Sequence, residues 1–216
     1  MSRAEFHYAY ERMPEDYRAE LIGGVVFEPS PLSWSHGSNH INLGFLLETY
    51  ARSTPGTEVG DNATVFLSAE DEVQPDLVLR TVHARGGQTR LTKDDFVDGA
   101  PELVAEVAHS SRAIDLHLKR ERFTLTGVRE YIVMCLRPKR LYWFDLHRQE
   151  ELKPDKDGIL RSRVFPGLWL HGEALLSRDT KLADKTLKSG LKSEEHAKFV
   201  RSLLKRKDSS QTKKRK

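Results

Sequence analysis

The sequence predicts an α/β fold in which helices flank a mixed β-sheet, with an N-terminal β-hairpin ahead of it. Three observations support this fold class. A Gly23-Gly24 pair separates two short apolar runs, several strand-like runs follow within residues 57–79, and residues 114–126 form a helical segment between two buried strands. Strands that first meander and are then joined by a helical crossover are typical of a mixed sheet.

The hairpin comes first in chain order. Residues 17–22 and 25–27 are the two apolar runs, and the glycines between them tolerate the positive φ angles of a type I′ turn. A short helix over residues 3–12 precedes the hairpin and is stopped by Pro14.

Residues 36–52 show the spacing of an amphipathic helix, which Thr54-Pro55-Gly56 ends. One face is predicted to carry His40, Leu43, Leu47 and Tyr50, and it is joined by Ile41 and Phe45 alongside it.

The remaining elements complete the sheet. Strands are predicted over residues 57–59, 63–67, 73–79, 102–107, 130–135 and 141–146. The helix over residues 114–126 follows the cap residues Ser110-Ser111 and ends at Gly127. A final helix is predicted over residues 194–206.

Charge divides the chain into two predicted parts. Residues 1–178 carry 22 basic and 27 acidic side chains, a net charge of −5, whereas residues 179–216 carry 13 and 5, a net charge of +8. We therefore place a main domain over residues 1–178 and a basic helix with a disordered tail over residues 179–216. The tail is either an arm that binds nucleic acid phosphates or a solvated extension.

Composition also bears on the setting of the protein. Cys135 is the one cysteine, so no intrachain disulfide forms, and the chain is predicted to be cytoplasmic. No apolar run approaches the roughly 18 residues of a membrane span, and residues 1–11 lack the apolar region of a secretory signal.

Two acidic residues lie within apolar strand-like runs. Asp76 follows Pro75 in the run 73–79, and Glu106 lies near the end of the run 102–107. A carboxylate in an apolar strand is costly unless it is paired or binds a cation. Either acid alone could face solvent or form a salt bridge, but two on neighbouring strands would suit a hard divalent ion.

These residues resemble a known family. Pro75-Asp76 followed by Glu106 resembles the PD-(D/E)XK nuclease superfamily, and the chain is more closely similar to the bacterial restriction-endonuclease-like family Uma-two, or domain of unknown function 820. The similarity rests on seven short motifs whose order and spacing agree. The motifs lie at residues 17–24, 30–36, 74–80, 101–112, 115–123, 127–133 and 165–170.

The resemblance implies a restriction-endonuclease-like core and a Mg²⁺- or Mn²⁺-dependent endonuclease that hydrolyses DNA phosphodiester bonds. It implies Asp76 and Glu106 as metal ligands, with Glu20 as an additional ligand. It further implies DNA as the partner and pairing of two copies as a homodimer.

The superfamily's lysine, two residues after the glutamate, is replaced by Ala108. Related sequences carry a lysine on the following helix, which implies a catalytic role for Lys119; the alternative is an exposed residue paired with Asp115. His36 matches the family's histidine and would contact a phosphate or orient Glu20, or would simply cap its helix.

A second function remains open. The absent motif lysine, the net charge of −5 on residues 1–178 and the acidic run Glu70-Asp71-Glu72 favour a catalytically degenerate nuclease-fold protein with a binding or regulatory role. Convergence of Glu20, Asp76, Glu106 and Lys119 on one place would favour the enzyme.

Overall fold

The structure is a computed structural model that describes residues 1–14 and 16–206, and it shows a mixed α/β fold with two six-stranded sheets flanked by helices. This confirms the predicted fold class. The strands are β1 (Glu20–Ile22), β2 (Val25–Phe27), β3 (Thr57–Asp61), β4 (Val65–Ser68), β5 (Asp71–Val73), β6 (Leu77–Thr81), β7 (Arg90–Leu91), β8 (Val97–Asp98), β9 (Leu103–Ala108), β10 (Glu130–Leu136), β11 (Lys139–Asp145), β12 (Glu150–Glu151), β13 (Ile159–Arg161) and β14 (Trp169–His171). The helices are α1 (Arg3–Tyr10), α2 (Trp34–Arg52), α3 (Arg120–Thr126), α4 (Gly172–Ser177), α5 (Thr180–Leu191) and α6 (Glu194–Lys205).

The first sheet has the strand order β12-β11-β10-β9-β6-β3. Strands β9 and β10 run parallel, and the other neighbours are antiparallel. The parallel pair requires a crossover, which the predicted helical segment supplies. That segment begins as a π-helical turn, Ile114–Lys119, and continues as α3, which ends at Gly127 with φ +95°.

The second sheet has the order β2-β1-β5-β4-β8-β7 and begins with the predicted hairpin. Ile22 pairs with Val25, and the intervening Gly23 and Gly24 have φ angles of +57° and +78°. These left-handed conformations explain why glycine occupies both positions of the turn.

The chain passes from the second sheet to the first at Pro75. A single strand over residues 73–79 was predicted, but β5 ends at Val73 and β6 begins at Leu77 in the other sheet. Proline has no N–H to donate to a strand ladder, so it interrupts the pairing. Asp76 therefore lies at the crossing between sheets and not in the middle of a strand.

Two hydrophobic layers cover the faces of the first sheet. Strand β9 shows the alternation: Leu103, Ala105 and Val107 face a core that α2, α4 and α5 complete. Val104 and Ala108 face the opposite core, which contains Phe123 of α3 and residues of the second sheet. Because side chains alternate along a strand, Glu106 points toward this second core.

Helix α2 is longer than predicted and exposes part of its predicted packing face. It begins at Trp34, where the Ser33 side chain accepts a hydrogen bond from the His36 N–H. Leu43, Leu47 and Tyr50 are fully buried, as predicted. Ile41 and Phe45, which were predicted to join this apolar face, are instead 73% and 58% exposed.

The C-terminal helices pack onto the first sheet's core. The predicted final helix is α6, but α5 precedes it and contributes Ala183 and Leu187 to the core cluster. A Cβ at Gly190 of α5 would lie 2.2 Å from the Gly167 carbonyl oxygen, so the two segments are in close contact. Residues 207–216 of the predicted tail lie outside the described residues. Within the described part of the chain, no helix combines the length and apolar character needed to cross a bilayer.

A buried glutamate anchors the loop that leads to β14. Glu130 accepts hydrogen bonds from Trp143 Nε1 (3.2 Å), the Ser162 hydroxyl (2.7 Å) and the Arg163 N–H (2.7 Å). Burial raises the pKa of Glu130 to about 7, against the opposing effect of these hydrogen bonds. We expect Glu130→Gln to lower the free energy of unfolding by about 1.5–3 kcal/mol, because one acceptor oxygen becomes a donor facing donors.

Urea unfolding measured between pH 5 and 8 would check this prediction. A carboxyl whose folded pKa lies above its unfolded value adds stability at low pH, and the contribution is lost as the pH rises from about 4.5 to 7. The glutamine variant should lack this pH dependence. Glu150→Gln is the matched control, since exposed Glu150 pairs with the same Arg163; an equal loss in both variants would contradict the prediction.

Candidate active site

Four carboxylates and one ammonium group come together from separate elements between the two sheets. Glu20 lies on β1, Asp76 at the crossing between sheets, and Glu106 on β9. The π-helical turn that follows β9 supplies Asp115 and Lys119. A π-helical turn is rare and occurs frequently at functional sites. Here it places two ionisable side chains over Glu106.

Lys119 joins the two sheets through its ammonium group. The Nζ atom lies 2.8 Å from Glu20 Oε2 and 2.8 Å from Glu106 Oε1, and Lys119 is only 6% exposed. The alternative of an exposed lysine paired with Asp115 was therefore wrong. Ala108, at the position of the superfamily's motif lysine, is completely buried.

Asp76 is held in one orientation by three neighbours. Its Oδ2 atom accepts hydrogen bonds from the Val107 N–H (2.6 Å) and from His36 Nε2 (3.2 Å). Its own N–H donates to Glu106 Oε2 at 3.3 Å. Asp76 and Glu106 are thus adjacent and have fixed positions relative to each other.

The break at Pro75 also positions Glu20. Because the ladder is interrupted, the N–H of Gln74 is free to donate to Glu20 Oε1, at 2.8 Å. Glu20 therefore accepts from the connecting segment with one oxygen and from Lys119 with the other. These two contacts connect β1 of the second sheet to the segment that leads into β6 and to the helical segment that follows β9.

Two histidines of α2 extend the site on the other side of Asp76. His36 is 5% exposed and contacts Asp76, and His40 Nδ1 lies 3.8 Å from Asp76 Oδ1. His40 Nε2 lies 2.9 Å from Asp61 Oδ1. The other ring nitrogen of His36, Nδ1, is buried and has no hydrogen-bond partner among the described residues.

The ionisation of this cluster is strongly perturbed. Burial raises the pKa of Glu106 well above its ordinary value, and the charges of Asp76, Asp115 and Glu20 add to the effect against the attraction of Lys119. Burial would lower the pKa of Lys119, but Glu106, Glu20 and Asp115 together raise it well above its ordinary value. Lys119 is therefore protonated at neutral pH.

Asp76 behaves differently from Glu106. Burial would raise its pKa, but hydrogen bonds from His36 and the Val107 N–H, with the charges of His36 and His40, hold the pKa below its ordinary value. Asp76 is therefore ionised at neutral pH, and neighbouring carboxyl groups with opposite shifts are typical of functional sites.

The donor set fits a divalent cation. Four carboxylates face one ammonium group, so the cluster has a net negative charge when all of its groups are ionised. In a buried site this charge must be neutralised by a bound cation or by protonation of a carboxylate. Within residues 1–14 and 16–206, three residues could bind one metal ion together: His36, His40 and Asp76. Each offers one ligand atom, and these atoms all lie within 4.8 Å of one another. One carboxylate and two imidazoles are suitable ligands for several divalent metals, and of the three predicted metal ligands Asp76 is the one that belongs to this group.

The structure brings four of the predicted site residues into one cluster. Lys119 contacts Glu20 and Glu106, and Glu106 contacts Asp76. His36 also reaches the cluster, but the expectation that it orients Glu20 or only caps its helix was wrong. Its imidazole contacts Asp76, and the capping group is Ser33.

Sequence reasoning missed His40, Asp61 and Asp115 as parts of this site. The four-residue spacing of His36 and His40 was an available signal, because it places both imidazoles on one side of a helix. Asp61, at the end of β3, had no local signal because its contact with His40 depends on tertiary packing.

The fold is similar to that of a nuclease-like solved structure. A solved structure described as "a putative nuclease belonging to DUF820 from Anabaena variabilis ATCC 29413" is similar, with a TM-score of 0.61 and 11% sequence identity. The match covers 78% of this chain and 95% of that chain, and at this identity it shows the fold alone.

The family follows from the sequence. The Uma2 family model, described as "Putative restriction endonuclease", matches residues 4–174. The chain belongs to the Uma2 family, which confirms the predicted resemblance. No curated protein matches it.

Proposed function

We propose that the protein is a metal-dependent endonuclease that hydrolyses DNA phosphodiester bonds, with Asp76, Glu106 and Lys119 as its catalytic residues. The observation that supports this most directly is the contact of Lys119 with both Glu20 and Glu106, beside Asp76. Four residues that are distant in sequence meet in one buried cluster, and membership of the Uma2 family points to the same chemistry.

Asp76 and Glu106 would hold Mg²⁺ or Mn²⁺, with Glu20 as a further carboxylate ligand. When bound, such a cation neutralises the charge of the scissile phosphate and lowers the pKa of water. Asp76 suits this role because it is ionised and its position is fixed by the Val107 N–H. His36 would act as a positioning residue, since its imidazole fixes the carboxylate plane of Asp76.

Lys119 would act as a charged hydrogen-bond donor and not as a base. Its ammonium retains its proton because Glu106 and Glu20 raise its pKa. A fixed ammonium can orient the attacking water and stabilise the negative charge that develops on the phosphate. Lys119 lies on the π-helical turn, and its contacts with Glu20 and Glu106 fix the position of the ammonium.

DNA is the proposed partner, which membership of a family described as restriction endonucleases supports. The acidic residues 1–178 would repel the polyanion, so the net charge of +8 on residues 179–216 would supply attraction that weakens with salt. A cytoplasmic setting belongs to the same proposal and is supported by a single cysteine, Cys135, that is buried and unpaired.

Calorimetric titration with Mg²⁺ and with Mn²⁺ tests the metal site. We expect the wild type to bind either ion, and the double variant Asp76→Asn, Glu106→Gln to lose binding, because both substitutions replace a carboxylate ligand with a neutral amide. Cleavage of plasmid DNA in the same buffers should fall by at least about 100-fold in the variant.

The control is the double variant Glu70→Gln, Glu121→Gln, which removes two surface carboxylates outside the cluster. It should bind metal and cleave DNA like the wild type. Absence of metal binding in the wild type, with DNA duplex present, would contradict the catalytic proposal.

One observation favours the alternative of a degenerate nuclease fold with a binding role. Lys119 already neutralises part of the charge on Glu20 and Glu106, two of the three predicted metal ligands. A protein of this kind would bind DNA without cleaving it, and the double variant would bind DNA as well as the wild type.

A further inference from the structure

We propose that the groove between α2 and β3 binds an unpaired base of the DNA substrate beside the active site, so that the preferred substrate has a single-stranded or extrahelical nucleotide. This inference rests on the proposed function, because it assigns the substrate class of the same site.

The groove has a volume of about 570 Å³, enough for a nucleoside. Its lining is formed largely by Gly37, Ile41 and Phe45 of α2, with Val59 and Leu77 from the two adjacent strands. A Cβ built at Gly37 meets no atom within 4 Å, so the floor of the groove at this glycine is open. The surface is therefore concave and mainly apolar.

Two solvent-exposed apolar side chains of α2, Ile41 and Phe45, line the groove and are 73% and 58% exposed. Trp34, which is 88% exposed, precedes Ile41 by seven residues and so lies on the same side of the helix. Large apolar side chains exposed beside a concave apolar groove are typical of a ligand-binding surface.

Continuity with the active site favours the substrate as the occupant. His40 and Asp61 line the groove, and His40 also reaches Asp76. A nucleotide whose phosphate lies at the carboxylate cluster would therefore have its base or sugar at the groove.

The charges at the groove favour a base over a phosphate. Glu48 and Asp61 are acidic lining residues that would repel phosphate oxygens. The apolar lining offers a surface on which a flat, uncharged ring can stack, and the Asn62 amide offers hydrogen-bonding groups to its edge.

The base must be unpaired to reach this lining. Inside a duplex both faces of a base are covered by its neighbours, so enzymes that bind one base in a pocket act on single strands or on extruded nucleotides. A perfect duplex would leave the groove empty and would be bound through its backbone alone.

Fluorescence anisotropy with Ca²⁺ in place of Mg²⁺ tests the proposal on the full-length protein. The probes are a labelled single strand of about 12 nucleotides, the corresponding perfect hairpin duplex, and the same duplex with one bulged nucleotide. We expect the single strand and the bulged duplex to bind about tenfold more tightly than the perfect duplex.

Two groove variants should remove this preference. Phe45→Ser takes away a stacking surface, and Gly37→Leu fills the open floor; each should weaken single-strand binding about tenfold and leave duplex binding unchanged. Leu204→Ser is the matched control for Phe45→Ser, because it removes an exposed apolar side chain of α6 that does not line the groove. Thermal unfolding of each variant establishes that it is folded.

Equal affinity for single strand and duplex would overturn the proposal, as would folded groove variants that bind the single strand like the wild type. A fall in sedimentation mass in the groove variants would also overturn it, since the exposed apolar side chains would then form a contact between two copies. Metal titration distinguishes failure of the catalytic proposal from failure of the groove proposal. If the wild type binds no metal but still prefers single strands in a way that the groove variants remove, the catalytic proposal fails and the groove proposal stands.

Discussion

Replacing Lys119 with methionine is expected to reduce DNA cleavage by about 10²–10³-fold and to lower the free energy of unfolding by about 3–5 kcal/mol. Methionine preserves most of the side-chain volume but removes the ammonium that neutralises Glu20 and Glu106. In the variant the buried carboxylates lack the ammonium that neutralises them. Removing one partner of a buried ion pair is strongly destabilising, because the charge that remains is buried without compensation. The melting temperature should fall by roughly 6–20 °C.

The pH dependence gives this prediction a specific signature. Without Lys119, the pKa of Glu106 should rise further, because burial and the neighbouring acids then act without the opposing ammonium. A carboxyl with a raised folded pKa gains stability as the pH falls, so the deficit of the variant should shrink between pH 8 and pH 5. Differential scanning calorimetry across this range measures it.

Lys198→Met is the matched control for Lys119→Met. Lys198 makes an exposed pair with Glu194 at 2.8 Å, so its loss should cost less than about 1 kcal/mol at any of these pH values. A Lys119→Met variant that is as stable as Lys198→Met would show that the buried contact contributes little.

The second large effect is expected at Asp71, which connects the hairpin to α3. Asp71 is fully buried and accepts hydrogen bonds from Arg122 at both oxygens (2.9 and 2.6 Å), from the Gly23 N–H (2.8 Å) and from the Ser68 hydroxyl (2.5 Å). We expect Asp71→Asn to cost about 3–5 kcal/mol, because Arg122 loses its charged partner. The hairpin that carries Glu20 should loosen as well.

Acid titration of stability would distinguish this contact from simple packing. Burial would raise the pKa of Asp71, but the hydrogen bonds from Arg122, Ser68 and Gly23 hold it below its ordinary value. Its contribution is therefore present above pH 3.8 and is lost as the pH falls through the folded pKa. The difference between wild type and Asp71→Asn should be constant from pH 5 to 8 and shrink in acid.

Glu70→Gln provides the comparison for Asp71→Asn. Glu70 also contacts Arg122, at 3.4 Å, but its side chain is 61% exposed. Its removal should cost less than about 1 kcal/mol. Equal costs for the two variants would mean that burial of the Asp71 contact does not matter.

Local signals in the sequence predicted the parts of the fold that depend on short stretches of chain. Gly23-Gly24 identified the hairpin because its φ angles are ones that other residues avoid. The helical run after Glu106 identified the crossover between β9 and β10, whereas the role of Lys119 was implied by the family resemblance and not by a local signal.

The predictions that were wrong concern places where tertiary packing, and not the local sequence pattern, determines the structure. Residues 73–79 form an uninterrupted strand pattern apart from Pro75, and only the assembled structure shows that the two halves belong to different sheets. Helix α2 is apolar on more than one side, so its periodicity alone did not identify Ile41 and Phe45 as exposed. The partnership of His40 with Asp61 depends on the docking of α2 against β3.

The crossing at Pro75 makes the site depend on contact between the two sheets. The pairing of β6 with β9 brings Asp76 and Glu106 together within the first sheet, whereas Glu20 belongs to the hairpin sheet. The cluster is therefore complete only while both sheets are in contact. A cation that bound only the complete cluster would stabilise the association of the two sheets, and the melting temperature would rise with the concentration of that cation.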